Sequence, residues 1–422
     1  MKRYDRPGGW LPVALAVAAI CIATLRPIPQ QAAESAATPW SCIVCGELGA
    51  VDVILNVLLF VPLGAALAHA GSSWRRALLL GSALSLSVEL LQATIVFGRD
   101  ASVGDFLTNS LGTVLGALLA RRLPAWLRPT PRAAARLAAV WAMAWLGQTA
   151  VTAYAVLPSL PRSVYWGQIA ADLPQFARFE GRVLAARIDS LGVPDGRMRH
   201  SEAVRDALLA GGSVQATAVA AGPTPRLAPV VSVFDEARKE IVLLGQSGRS
   251  LVFRLRSHAE DLRLRPPAIR LPNAFGRAGG DTLELDGRLR GAMLEVGLRR
   301  GAHALRRDLA LDAQWGWSLL LPFHYYAGPE AGPITAVWIA GWLLPLGFWV
   351  ARSGINRAGA VGALGGTLIV GLGAVPAAFG LGPTAWGGWA AGAVAAGIGA
   401  LLGRKPRYAA GKPPRARSAA SP

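Results

Sequence analysis

The chain has 422 residues, 53% of them hydrophobic, with a mean hydropathy of +0.38 and a formal net charge of +18. Long apolar runs broken by one polar block describe a membrane protein with an appended domain and exclude a wholly soluble enzyme. The charge does not describe a nucleic-acid binder: basic residues crowd the short loops and the tail, while residues 158–330 nearly balance Lys and Arg against Asp and Glu.

In chain order, a spanning helix of about 20 mostly apolar residues fits eight windows: 10–25, 51–70, 76–97, 102–121, 134–157, 333–351, 358–379 and 383–402. The predicted fold class is a membrane α-helical bundle of about eight transmembrane helices with an inserted all-β sandwich. Five spans fall in residues 1–157, an extracytoplasmic β domain in 158–330, three spans in 331–403 and a basic disordered tail in 404–422. With the N-terminus cytoplasmic, Lys2, Arg3, Arg6, Arg75, Arg76, Arg121, Arg122, Arg128, Arg132, Arg136, Arg352, Arg357 and the basic tail lie inside. Only Arg26 and Arg99 fall in the short outer loops, so both termini are expected in the cytoplasm. A signal peptide over 1–38, cleaved at Ser35-Ala36-Ala37, is the less favoured reading and leaves residue 40 outside as well.

Cys21 reads as a small apolar residue of the first window. Cys42 and Cys45 fall in the outer loop, where a structural disulfide, a redox pair and an inert pair all suit the spacing. No second Cys-x-x-Cys accompanies them and no His has metal-site spacing, so neither a metal nor a cofactor is expected.

The polar block reads as β. Segments 241–244 and 251–255 flank Gly245-Gln-Ser-Gly248 as a hairpin, and 282–285 and 292–298 flank a turn at Asp286-Gly287. Further strands are expected at 182–188, 214–220, 230–234 and 315–321, with a short helix at 201–210. Short strands with Gly and Pro breaks describe a two-sheet sandwich. In the last spans, Gly365-Gly366 and Gly387-Gly388 read as close helix packing.

The chemistry concentrates in windows two to four. Asp52/Asn56 and Asp105/Asn109 each form D-x-x-x-N, which puts both groups on one helix face about 6 Å apart along the axis. Both helices continue with Pro62 and Gly64 or with Gly112 and Gly116, so the two read as a weak parallel repeat. Ser82, Ser85, Glu89 and Gln92 share one stripe, with Glu89 about 12 Å below a helix end at Phe97 and Arg99 just above. Ionisable groups inside hydrocarbon mark a site by default. The alternative is that the amides join helices and the aspartates cap them.

These segments resemble the VanZ-like membrane domain over about residues 10–122. The residues that carry this are Asp-x-x-x-Asn-x-x-x-Phe-x-Pro-x-Gly at 52–64, Glu-x-x-Gln at 89–92, Gly-Arg at 98–99 and Asp-x-x-x-Asn-x-x-Gly-x-x-x-Gly at 105–116. The resemblance implies a bacterial inner-membrane protein with a cell-envelope role, because the family's namesake is associated with resistance to glycopeptide antibiotics such as teicoplanin. It implies no catalytic role for any residue. The β block is similar to laminin-G or concanavalin-like sandwiches, on segments 231–234, 240–246 and 251–255.

Three functions are compatible with this reading. In the preferred one, Asp52, Asn56, Glu89, Gln92, Arg99, Asp105 and Asn109 line an outer-leaflet cleft that binds an envelope amphiphile or lipid-linked precursor. In the second, the chain is a scaffold whose sandwich recruits an envelope glycan or protein. In the third, it is an intramembrane enzyme with Glu89 as acid or base. Membrane lipids are the expected partners and nucleic acid is not.

Overall fold

Backbone in lipid must satisfy its own hydrogen bonds, and apolar runs of this length do so as helices. The computed structural model describes residues 9–26, 39–96, 101–174, 176–276, 279–326, 328 and 330–404. Before the β domain stand α1 (Leu11–Thr24), α2 (Gly49–His69), α3 (Trp74–Thr94), α4 (Val103–Leu127) and α5 (Pro131–Ala155). Side chains of Ser73, Ser102 and Thr130 accept backbone N–H groups at the starts of α3, α4 and α5, so local sequence sets where each begins. Arg99, the 35–37 cleavage reading and the tail beyond Arg404 lie outside the described residues.

The β domain contains β1 (Trp166–Ile169), β2 (Arg182–Ile188), β3 (Leu191–Gly192), β4 (Gly196–Arg197), α6 (Ser201–Leu209), β5 (Val214–Val219) and β6 (Thr224–Phe234). After these come β7 (Glu240–Gly248), β8 (Ser250–Leu255), α7 (His258–Asp261), β9 (Ala268–Leu271), β10 (Thr282–Arg290), β11 (Met293–Arg300), β12 (His303–Ala310) and α8 (Gly316–Leu319). They form two six-stranded sheets, in orders β4-β1-β6-β7-β8-β9 and β12-β11-β10-β5-β2-β3, with antiparallel pairing throughout. Val230, Val242, Phe253, Leu285 and Val296 belong to the shared core.

Three local expectations are corrected. The 241–255 hairpin is tighter than read, since pairing continues to Ser247 and Ser250. Gln246 is wholly buried there and donates to the carbonyls of Gly222 and Gly248, so it belongs to the strand. No turn forms at Asp286-Gly287. Strand β10 passes through both because Gly287 lies against the Phe253 ring and Asp286 opposes Gly297; the chain turns instead at Gly291, with φ +58°. Residues 315–321 form α8 and its flanking turns rather than a strand, with the Trp317 indole donating to Thr335 at 3.0 Å.

The chain ends with α9 (Ala331–Arg352), α10 (Arg357–Ala378), which contains a π turn at Val370–Ala374, and α11 (Trp386–Gly403). Each predicted window contains a helix, but among the described residues six helices, α2–α4 and α9–α11, are long and apolar enough to cross a membrane. The expected eight are corrected to six. Helix α1 has 14 residues, about 21 Å against a hydrocarbon core near 30 Å. Helix α5 has the length but is diluted by Arg132, Arg136, Gln148, Thr149 and Thr152.

The last three helices repeat α2–α4 at one constant spacing along the chain. Pro62-Leu63-Gly64 corresponds to Pro345-Leu346-Gly347, and Gly71 (φ +86°) to Gly354 (φ +83°). The N-cap Ser73 corresponds to the N-cap Asn356. A Cβ on Gly64 would strike the Thr113 carbonyl, and one on Gly347 the Ala396 carbonyl. Likewise Gly116 abuts the Val61 carbonyl and Gly399 the Leu344 carbonyl. Each first and third helix therefore lie parallel, backbone against backbone. Gly365, Gly366 and Gly387, read above as packing residues, have open space around them.

The sandwich is seated on both helical groups. Its core is continuous with Val51 of α2, with Ala153 and Ala155 of α5, and with Leu381. Cys42 and Cys45 form a disulfide, and the loop it closes covers the start of α4. There the Val103 and Gly104 N–H groups donate to the carbonyls of Trp40 and Cys42 at 2.8 and 3.1 Å. From the other side, Arg263 donates to the Val44 carbonyl at 2.5 Å. Cys42→Ser is expected to destabilise the chain by about 2 kcal/mol, the loop-entropy value for so short a ring. Dithiothreitol should lower the wild-type melting temperature to that of the variant and leave the variant unmoved.

Candidate functional site

Helices α2 and α4 form the backbone of the site. Gly112 abuts the Val57 carbonyl and Gly116 that of Val61, while Gly64 abuts Thr113. Pro62 lies inside α2 without ending it. Helix α3 packs antiparallel on this pair, with Gly81 against Thr113 and a Ser82–Ser110 hydroxyl contact of 2.8 Å.

This frame brings the predicted polar residues together. Asn56 donates to Asp105 Oδ1 at 2.7 Å, which joins the two D-x-x-x-N motifs across α2 and α4. Asn109 donates to Ser85 Oγ at 3.0 Å, and Gln92 to the Thr24 carbonyl at 2.9 Å. Glu89 Oε2 accepts from the Ser102 backbone N–H at 2.9 Å. Glu89 is 7% exposed and Asn109 2%. The Asn109 Oδ1 atom is buried without a hydrogen-bond partner among the described residues. Asp52 is exposed at the start of α2.

The depth of Glu89 is corrected. Helix α3 ends at Thr94, not Phe97, so Glu89 lies about 7.5 Å from that end and level with the first residue of α4. There its carboxylate meets the positive end of the helix dipole. In the second three-helix unit Leu372 occupies the matching position, and Asp312, from the chain leaving the sandwich, takes the matching Ala385 backbone N–H. Asn56, Ser85, Asp105 and Asn109 correspond there to Ile339, Leu368, Gly388 and Gly392.

Sequence reading missed the polar group that the β domain places near Asp52. Arg254 pairs with Glu240 through two contacts, 3.0 and 2.6 Å. His324 Nδ1 lies 3.5 Å from Arg254 Nη1 and 3.4 Å from Arg265 Nη1. Burial, and then Arg254, push Arg265 down to about 10, with Glu47 and Asp52 acting against them. The available signal was Arg254 itself, a charge inside an otherwise apolar strand.

Burial and the two guanidiniums push His324 down to about 3. A histidine below its unfolded value near 6.5 contributes stability that is present above that pH and lost as pH falls toward 3. From pH 7 to pH 4 the wild type should therefore lose more stability than His324→Gln. Equal losses would contradict this. Glu260, pushed up to about 7 by burial, acts in the opposite sense in both proteins, so the difference isolates the histidine.

Among known families, residues 13–126 match the one described as VanZ/LLP1. The match spans α1–α4 and stops short of the sandwich. No curated protein and no solved structure matches the chain.

Proposed function

We propose that α1–α4 hold the head group of an envelope lipid or lipid-linked precursor, in a cell-envelope or glycopeptide-resistance-like role. On this reading the chain sits in a bacterial inner membrane, with both termini cytoplasmic and the sandwich outside. The observation that carries it is the comparison between the two three-helix units. The second closes the same glycine-packed contact between its first and third helices with Ile339 and Gly388 at the positions of Asn56 and Asp105. Helix packing therefore does not require those polar groups. A carboxylate on the third helix's first N–H occurs in both units, so capping is part of Glu89's role. The head-group contacts fall first to Asn56, Asp105 and Asn109. Asp52, Asp105 and the unpartnered Asn109 oxygen are acceptors, which suits a head group carrying hydroxyl or ammonium donors.

The test is the double variant Asn56→Ile/Asp105→Ala, which removes both partners of one hydrogen bond and leaves neither orphaned. It is expected to fold and to lose the thermal stabilisation that added phosphatidylethanolamine gives the wild type. Equal stabilisation of both proteins, or failure of the double variant to fold, would overturn the reading.

A second reading, a scaffold whose laminin-G-like sandwich recruits an envelope glycan or protein, is favoured by the bonds that Asn56, Gln92 and Asn109 make within the chain. It predicts normal function in the double variant and loss of function when residues 158–330 are removed.

A further inference from the structure

Many arginines of the sandwich are tied to carboxylates: Arg254 to Glu240, Arg256 to Asp235 and Asp261, Arg288 and Arg306 to Glu295, and Arg300 to Asp281. One cluster is different. Arg162, Arg197 and Arg199 are exposed and make no side-chain hydrogen bond or ion pair among the described residues. Together with Arg205 they line a single cavity of about 830 Å³.

Four pieces of chain build it, one of them the β6–β7 turn with Glu236. The segment that follows α5 brings Arg162 and Ser163, the edge strand β4 brings Arg197, and the first turns of α6 bring Ser201, Glu202 and Arg205. Arg205 is held in place, its Nε donating to the Leu160 carbonyl at 2.8 Å. No side chain caps α6, so its first backbone N–H groups and the positive end of its dipole remain available to an anion. Ser163 Oγ is buried on the lining and has no partner among the described residues. Among the described residues the carboxylates on the lining are Glu202 and Glu236; Arg205 is paired with Asp206 at 3.1 Å, so the positive charge open to a ligand comes from Arg162, Arg197 and Arg199. Guanidinium forks match phosphate oxygens in pairs.

We propose that this cleft binds a phosphate-bearing ligand larger than phosphate itself, such as a phosphorylated sugar. The volume is in the range of cavities that enclose whole small molecules. The lining begins at Arg162, a few residues past the end of α5 at Ala155. The cleft therefore stands within about 25 Å of the end of α5, and the source of the ligand, a lipid head group or a soluble molecule, is assigned by the test below.

The experiment titrates full-length protein in phosphatidylcholine discs with inorganic phosphate, pyrophosphate and glucose 1-phosphate, read by calorimetry. It compares wild type with Arg197→Gln/Arg199→Gln, with Arg162→Gln, and with Arg182→Gln, a control away from the cleft that is charge-matched to Arg162→Gln. Pyrophosphate and the sugar phosphate should bind more tightly than phosphate and weaken with salt. The double variant should lose about tenfold or more in affinity, and Arg182→Gln should lose nothing. Arg162 is exposed in a loop, so a loss in Arg162→Gln cannot come from misfolding. Repeating the titration in discs containing phosphatidic acid assigns the source. Competition by the disc lipid indicates a lipid head group, and unchanged binding indicates a soluble ligand; either supports the site. No binding of any probe in either disc, or equal binding by wild type and double variant, overturns it.

Discussion

Valine in place of Gly112 or Gly116 is expected to rank with the most destabilising single changes in the membrane-embedded half. The added side chain begins with a Cβ that collides with the Val57 or Val61 carbonyl. These are backbone atoms, so the clash is relieved only by moving α2 away from α4. Overpacking typically costs about 1–3 kcal/mol, and a contact with no side chain able to yield belongs at the top of that range. Separating the helices also strains the Asn56–Asp105 bond. Thermal unfolding in discs measures the effect, and a melting temperature equal to wild type would contradict it. Gly399→Val, the matching change in the second unit, should destabilise similarly and, on the head-group reading, leave lipid retention by the folded protein unchanged.

Arg256→Ala is the largest effect expected in the sandwich. Arg256 is 8% exposed and Asp235 7%; their side chains meet at 2.9 Å, and the same guanidinium reaches Asp261 at 3.1 Å. Asp261 also accepts from Ser159 at 2.5 Å, on the chain that leaves α5. One arginine therefore ties the end of β8 to the β6–β7 turn, to α7 and to the segment that leaves α5. Removing one partner of a buried pair leaves an uncompensated charge and costs about 3–5 kcal/mol. Chemical denaturation should show that loss, and Arg256→Met/Asp235→Leu should recover most of it. A loss under about 1 kcal/mol for the single change would mean that water or another cation replaces the guanidinium.

Helices were legible wherever apolar length and a cap residue agreed, as at Ser73, Ser102 and Thr130. Length and composition also explain why α1 and α5 do not count as spans, because a window shows apolarity but not where capping ends the helix. The two D-x-x-x-N motifs and their glycines predicted one polar cluster, and the structure brings Asn56, Asp105, Asn109 and Glu89 to one end of the first bundle. Strand boundaries were less legible. Asp286-Gly287 has turn chemistry, yet its glycine serves the approach of the Phe253 ring. Strand β12, rich in Arg and exposed at a sheet edge, carries no apolar alternation to find. The repeat of α2–α4 in α9–α11 escaped notice because the positions that differ are the conspicuous polar ones, while those that match are Gly, Pro and Leu.

The most direct test of the head-group reading is native mass spectrometry of lipids retained by wild type, Asn109→Ala and Asn56→Ile/Asp105→Ala purified from the same membrane. The expected result is a lipid species held by wild type and missing from both folded variants. Identical lipid profiles in all three would contradict a head-group site in the first bundle.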